Sequence, residues 1–318
     1  MKKHIYIYSP SGAVRDKAAF KRGVRRLQSL GHDVEIDPDA LTSHMRFAGD
    51  DQTRLAAIHR AAASGADVAM ISRGGYGLTR ILGGIRYKTL ANSIERGTQF
   101  VGISDFTALQ MALLSKTGSV TWAGPALCEG FGVGGKPDQL DGHGHGEALG
   151  PDDIMEDCFQ DMVLGRGEGT GWRQNREEGT PGAVRANNAI IWGGNLTMLA
   201  SLLGTDYFPQ IRGGILFLED VGEHPYRIER LLTQLLHAGV LSRQKAIVLG
   251  QFTEFKLTSH DKGFKLQAVV QWLRSQTKIP VLTNLPYGHV PTKVLLPVGS
   301  KADLVTEGRD ALLFWGHR

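Results

Sequence analysis

Cysteine is nearly missing. Cys128 and Cys158 are the only two in 318 residues, too few for a disulfide framework and without a metal-ligand spacing such as C-x-x-C, so both are expected to be reduced thiols. Long apolar runs are missing as well. The start "MKKHIYIYSPSG" sets two lysines before a five-residue apolar run that stops at Ser9 and Pro10, too short for a signal-peptide core or a membrane span. A soluble, cytoplasmic protein with no membrane partner is therefore expected. Charge of one sign is scarce: 36 Lys and Arg against 32 Asp and Glu leave a net charge of +4. The densest basic cluster, "KRGVRR" at 21–26, lies on an amphipathic helical pattern with Phe20, Val24 and Leu27 facing inward. No aromatic-basic ribbon accompanies it, which excludes a nucleic-acid partner and leaves a solvated helix face.

What the chain has in quantity is alternation. "HIYIYS", "DVEIDP", "DVAMIS", "TQFVGIS" and "SVTWAGPAL" read as strands, separated by helical patterns such as "AAFKRGVRRLQSLG" and "DQTRLAAIHRAAASG". Strands alternating with helices imply an α/β chain with a mostly parallel sheet, here a flavodoxin- or Rossmann-like N-terminal domain over 1–165. Glycine-rich sequence, "GRGEGTGWRQNREEGTPG", then reads as a linker over 166–185. A C-terminal α/β domain over 186–318 follows, from "NNAIIWGGNLTMLASLLG" to a β-rich end, "KVLLPVGSKADLVTEGRDALLFW", with "EGRD" as a hairpin turn. Length and 42% hydrophobic content agree with roughly two domains.

In parallel sheets the functional loops lie beyond the carboxyl ends of the strands. "GISDFTAL" puts Ser104 at a strand-to-helix corner, where α/β hydrolases expose a nucleophile in G-x-S-x-G; Gly102 and Ser104 fit, and Phe106 stands where the second glycine should be. The same serine could simply cap the helix. "SRGGYG" offers Gly75 as a backbone oxyanion donor beside the N–H of Asp105, with Arg73 placed to grip a substrate carboxylate. A base must come from elsewhere, and His289 in "NLPYGHV" sits in a glycine-containing loop just after an apolar strand. "GILFLEDVGE" supplies Glu219, Asp220 and Glu223 as orienting carboxylates, among which strand alternation does not choose; one of them could cap the helix beginning near Pro225. His143 and His145 in "DGHGHGE" alternate with glycine in a floppy segment, so no metal is expected there, and no cofactor motif of Rossmann or P-loop spacing is present.

Five segments, "SRGGYG", "GISDFTAL", "WGGNLTMLASLLGT", "LFLEDVGEHPYRIERLL" and "LPYGH", together resemble the LD-carboxypeptidases over nearly the whole chain. These are serine peptidases that include muramoyltetrapeptide carboxypeptidases and microcin C immunity peptidases. The resemblance implies Ser104 as nucleophile, Glu219 as orienting acid, His289 as general base, and the N–H groups of Gly75 and Asp105 as oxyanion donors. It also implies an active site where the two domains meet, a homodimer, and a small peptide substrate, murein tetrapeptide, losing its terminal D-Ala in peptidoglycan recycling. Two other functions remain open: an amidase detoxifying a microcin C-type antibiotic, for which Trp172 could stack on the adenine although a packing role at the solvent edge is the simpler reading, and a non-catalytic peptide- or sugar-binding protein, against which the missing export signal argues.

Overall fold

Near-continuous apolar sequence makes β1 (His4–Tyr8), β3 (Val68–Ile71), β4 (Gln99–Gly102) and β5 (Thr121–Ala123) buried strands, while the more polar β2 (Asp33–Ile36) closes one edge. The computed structural model describes residues 2–134, 150–176 and 179–316. The chain divides into two compact units: Met1–Leu109, Thr121–Gly165 and Pro291–Leu295 form one, and Gln110–Val120, Arg166–Val290 and Leu296–Arg318 form the other.

In the first unit the strands pair in parallel in the order β5-β4-β3-β1-β2, the flavodoxin-like arrangement. The order reverses between β1 and β3, so the loops leaving their carboxyl ends, from Ser9 and from Ser72, flank the switch point where such sheets place ligands. The helices of residues 1–165 are α1 (Lys17–Ser29), α2 (Asp51–Ala63), α3 (Leu78–Ile81), α4 (Tyr87–Glu95), α5 (Phe106–Thr117) and α6 (Asp153–Leu164). Asp16, Asp50 and Asp152 cap α1, α2 and α6 by accepting backbone N–H groups that have no partner inside the helix. On α1 the buried side is Ala19, Phe20, Gly23 and Leu27, so Gly23 takes the inward place expected of Val24. The basic cluster is partly engaged within the chain: Arg26 binds Glu156 and Arg22 donates to the Gly132 carbonyl at 2.9 Å. Helix α5 is largely apolar, and Phe106 to Leu114 are buried without exception, Thr107 and Gln110 included.

The second unit carries β6 (Gly169–Arg173), β7 (Arg185–Asn195), β8 (Ile215–Val221), β9 (Ala246–Thr253), β10 (Val281–Leu282), β11 (Leu296–Val298), β12 (Lys301–Glu307) and β13 (Asp310–Phe314), with helices α7 (Leu196–Ser201), α8 (Pro225–His237) and α9 (Leu266–Gln276). Seven of these strands form one sheet in the order β10-β9-β8-β7-β12-β13-β6. Strands β7 to β10 are parallel, and the remaining pairings are antiparallel, which is the β-rich end expected from the sequence. The β12–β13 hairpin turns at "EGRD", with Glu307 opposite Asp310. Part of the 166–185 stretch read as linker is strand: β6 pairs along its full length with β13, because glycines at 169 and 171 let the neighbouring backbone and Leu312 lie close.

Candidate active site

Strand β4 ends at Gly102, and two residues later Ser104 takes a left-handed conformation, φ +66°, before α5 begins. A serine gains nothing locally from that backbone, which costs a non-glycine residue about 1 kcal/mol or more, so the turn is imposed by its surroundings. Phe106 explains the missing second glycine. Its ring is fully buried over Gly102, where a Cβ would stand 2.6 Å from the ring, so the strand glycine accommodates the bulk one turn later. The Ser104 carbonyl accepts the Thr107 N–H at 2.9 Å, which makes the serine part of the helix start.

The switch-point loops close around this serine. Gly74 faces it directly, Gly75 holds φ +112°, and the Gly12 N–H donates to the Gly74 carbonyl at 3.2 Å. Asp105 is fully buried, and its Oδ2 accepts the Leu78 N–H at 2.9 Å. Burial pushes the Asp105 carboxyl above its ordinary pKa, against the pull of Leu78, Ser11 and Arg54. Arg73 lies 3.4 Å from Glu129 and 3.4 Å from the Ala13 carbonyl, with its side chain 15% exposed.

The second unit supplies an acid and an imidazole. Glu219, fully buried near the end of β8, is 2.8 Å from His289 Nδ1 through Oε2. His289 follows Gly288, whose φ of +143° and missing side chain let the loop approach Glu219: a Cβ there would lie 3.3 Å from that of Glu219. The His289 carbonyl accepts the Thr253 hydroxyl at 3.3 Å.

Asn195, at the end of β7, completes the arrangement. Its amide donates to Glu219 Oε1 at 3.2 Å and to Asp220 Oδ1 at 2.9 Å, while its Oδ1 caps α7 through the Met198 N–H at 3.1 Å. Strand alternation could not separate the three carboxylates, and the structure does: Glu219 meets the histidine, Asp220 accepts from the Thr197 N–H and hydroxyl, and Glu223 pairs with Arg227. Burial raises the Asp220 carboxyl above its ordinary pKa, and the neighbouring Glu219 charge adds to that. None of the three caps α8; His224 does, through the Tyr226 N–H. Asn195 was legible only as a residue near a helix start, since nothing in its own segment reveals a partner on the adjacent strand.

Trp172 lies in β6, 9% exposed, with Nε1 donating to the Thr283 carbonyl at 3.0 Å. His143 and His145 lie outside the described residues. Among the described residues, no three His, Cys, Asp or Glu side chains gather where they could hold a metal ion.

Residues 5–124 match the family model described as LD-carboxypeptidase N-terminal domain, and residues 188–304 match that of the LD-carboxypeptidase C-terminal domain. A putative carboxypeptidase of Synechocystis sp. is 31% identical over 303 residues, covering 94% of this chain and 90% of that protein. The crystal structure of muramoyltetrapeptide carboxypeptidase from Oxalobacter formigenes superposes with a TM-score of 0.84 at 38% identity, covering 98% of both chains. The microcin C7 self-immunity protein of Escherichia coli is 27% identical over 226 residues, 63% of this chain and 61% of that protein.

Proposed function

The chain belongs to the LD-carboxypeptidase family, and from that premise we propose that it removes the terminal D-Ala of murein tetrapeptide, cutting the diaminopimelate–D-Ala bond during peptidoglycan recycling. Cytoplasmic location and a homodimeric state belong to the same proposal and follow from the family likeness. Among the described residues no helix is long and apolar enough to cross a membrane.

The observation that carries the mechanism is the 2.8 Å pairing of His289 Nδ1 with Glu219 Oε2. A buried carboxylate that accepts the Nδ1 proton fixes the tautomer and leaves the Nε2 lone pair to act as base. In the proposed reaction Nε2 takes the proton of the Ser104 hydroxyl as its oxygen attacks the diaminopimelate carbonyl. The N–H groups of Gly75 and Asp105 receive the developing oxyanion. Collapse breaks the C–N bond, and the imidazolium returns the proton to the leaving D-Ala amine. Water, deprotonated by His289, then hydrolyses the acyl-serine ester and frees the tripeptide. Arg73 is the cation assigned to the substrate's terminal carboxylate, held ready by Glu129 and the Ala13 carbonyl.

Mass spectrometry of L-Ala-γ-D-Glu-meso-diaminopimelate-D-Ala, incubated with wild type and with Ser104→Ala, tests the proposal. Release of D-Ala by the wild type alone is expected. Release by both would remove Ser104 from the mechanism. If neither releases D-Ala while the wild type cleaves an aminoacyl sulfamoyl adenosine, the substrate assignment moves to the microcin-type activity.

A further inference from the structure

Arg54 and Asp105 carry ionisable side chains that are fully buried and take no part in the proton transfers above. Charges are costly to bury unless they are bound, so each marks something that has to be held. Arg54, on α2, donates through Nη1 to the Gly77 carbonyl at 2.8 Å and lies 3.4 Å from the Pro10 carbonyl. Its Nη2 binds Asp51, and its guanidinium lies over the Phe47 ring, 4.7 Å from the centroid. On the other side Asp105 Oδ2 accepts the Leu78 N–H at 2.9 Å. Two successive residues, Gly77 and Leu78, are therefore gripped by a guanidinium and a carboxyl group. At its upstream end the same loop is fixed by the Gly12 N–H on the Gly74 carbonyl and by the contact of Gly74 with Ser104. Gly75 stands between these anchors. Only glycine lets the cation in at 77, where φ is +143° and a Cβ would stand 2.4 Å from Arg54 Nη1.

We infer that Arg54 and Asp105 are positioning residues: together they clamp the Gly74–Leu78 loop against the Ser104 turn and set the direction of the Gly75 N–H relative to the Asp105 N–H. This rests on the proposed reading of Ser104 as nucleophile and of those two N–H groups as oxyanion donors. The pair is also electrostatically linked, since Arg54 is one of the groups that favour the charged form of the buried Asp105 carboxyl. Removing Arg54 alone takes away one of the groups that offset the burial of that carboxyl, whereas neutralising both positions can leave stability unchanged. A clamp depends on the bonds to Gly77 and Leu78; a purely structural pair depends on charge balance. The double variant separates the two.

The experiment measures kcat and KM on the tetrapeptide, the rate of Ser104 labelling by a fluorophosphonate, and Tm. Arg54→Met and Asp105→Ala are expected to lower kcat and the labelling rate ~10²-fold with KM within about 2-fold, because alignment of an oxyanion donor acts in the transition state. Asp105→Asn keeps an acceptor for Leu78 and is expected to stay within ~10-fold of wild type. Arg54→Met/Asp105→Asn should regain the wild-type Tm yet keep the kcat deficit; if Arg54→Met fails to fold, this double variant carries the test. Recovery of kcat together with Tm, or a loss seen in KM instead of kcat, overturns the clamp. Should Ser104→Ala keep its turnover, the reading of the nucleophile fails instead, whereas an inactive Ser104→Ala beside normal clamp variants overturns this inference alone.

Discussion

Gly74 touches Ser104 so closely that a Cβ on residue 74 would stand 2.7 Å from the serine Oγ and 2.6 Å from its Cβ. No side chain fits there without moving one of the two backbones. Gly74→Ala should therefore displace the serine or the loop by a few tenths of an ångström. Misplacements of this kind next to the chemistry cost up to ~10²-fold in rate. The expected outcome is a fall of ~10- to 10²-fold in kcat, with a smaller change in stability, about 1–3 kcal/mol for an overpacked contact. Steady-state kinetics and urea unfolding of the one variant check both. Wild-type kcat would mean that the two loops adjust freely.

The left-handed Ser104 predicts a trade of activity against stability. Glycine adopts φ near +66° without the Cβ clash that serine suffers. Ser104→Gly should gain about 1 kcal/mol, a Tm rise of about 2 °C for a protein of this size, while losing the proposed nucleophile. Ser104→Ala keeps the Cβ and should lose activity without the gain. Calorimetry of both variants is the check, and equal Tm values for the two would show that the turn holds no strain.

How far these features could be read in the sequence depends on whether their causes are local. Strands β1, β3, β4 and β5 were legible because a parallel sheet buried on both faces needs runs such as "HIYIY" and "VAMI". The hairpin turn at Gly308 was legible for the same reason, since turn chemistry lies in the turn itself. Strand β6 was hidden: "GTGWR" has strand propensity only at Thr170 and Trp172, each preceded by a glycine, and its pairing with β13 is more than 130 residues away in the chain. The choice among Glu219, Asp220 and Glu223 was hidden likewise, because it is made by His289, Thr197 and Arg227 on other elements. The serine corner could be read from "GISD", but its strain and its contact with Gly74 belong to the packing of two loops.

Asn195 connects two adjacent buried carboxylates, and removing it tests how firmly Glu219 is held. Asn195→Ala deletes donors to Glu219 and Asp220 and the cap of α7. Two lost hydrogen bonds to charged groups and one lost cap should cost about 2–4 kcal/mol. Activity should fall ~10-fold or more, since the carboxylate that orients His289 is left free to turn. Asn195→Asp keeps an acceptor for the α7 cap but places a further carboxylate beside Asp220, whose carboxyl burial already pushes above its ordinary pKa, so it should be more harmful at pH 7 than at pH 5, where that carboxyl takes up a proton more readily. Chemical denaturation and turnover of both variants at the two pH values decide the matter; a pH-independent Asn195→Asp phenotype would show that the cluster does not carry the charges assigned to it.

Away from the site, Asp37 links stability to pH. Its side chain is fully buried after β2, bound to Arg60 through both oxygens at 2.8 Å and to the Tyr6 hydroxyl at 2.7 Å. Burial alone would raise its pKa, but the Arg60 guanidinium, the Tyr6 hydroxyl and the Asp39 N–H together outweigh burial and hold the carboxyl below its ordinary value. A depressed carboxyl pKa contributes stability above the unfolded-state value, ~3.9, and that contribution disappears as pH falls through the folded-state value. Arg60 is 36% exposed, so solvent weakens the pair, and Asp37→Asn should cost about 1–2 kcal/mol at pH 7. The gap between wild type and Asp37→Asn should narrow as the pH drops from about 5 toward 3, because the wild-type carboxyl then takes up the proton that the amide mimics. Urea unfolding at pH 7, 5, 4 and 3 measures it. A gap that stays constant over that range would mean that Asp37 contributes through packing and neutral hydrogen bonds, with no part played by its charge.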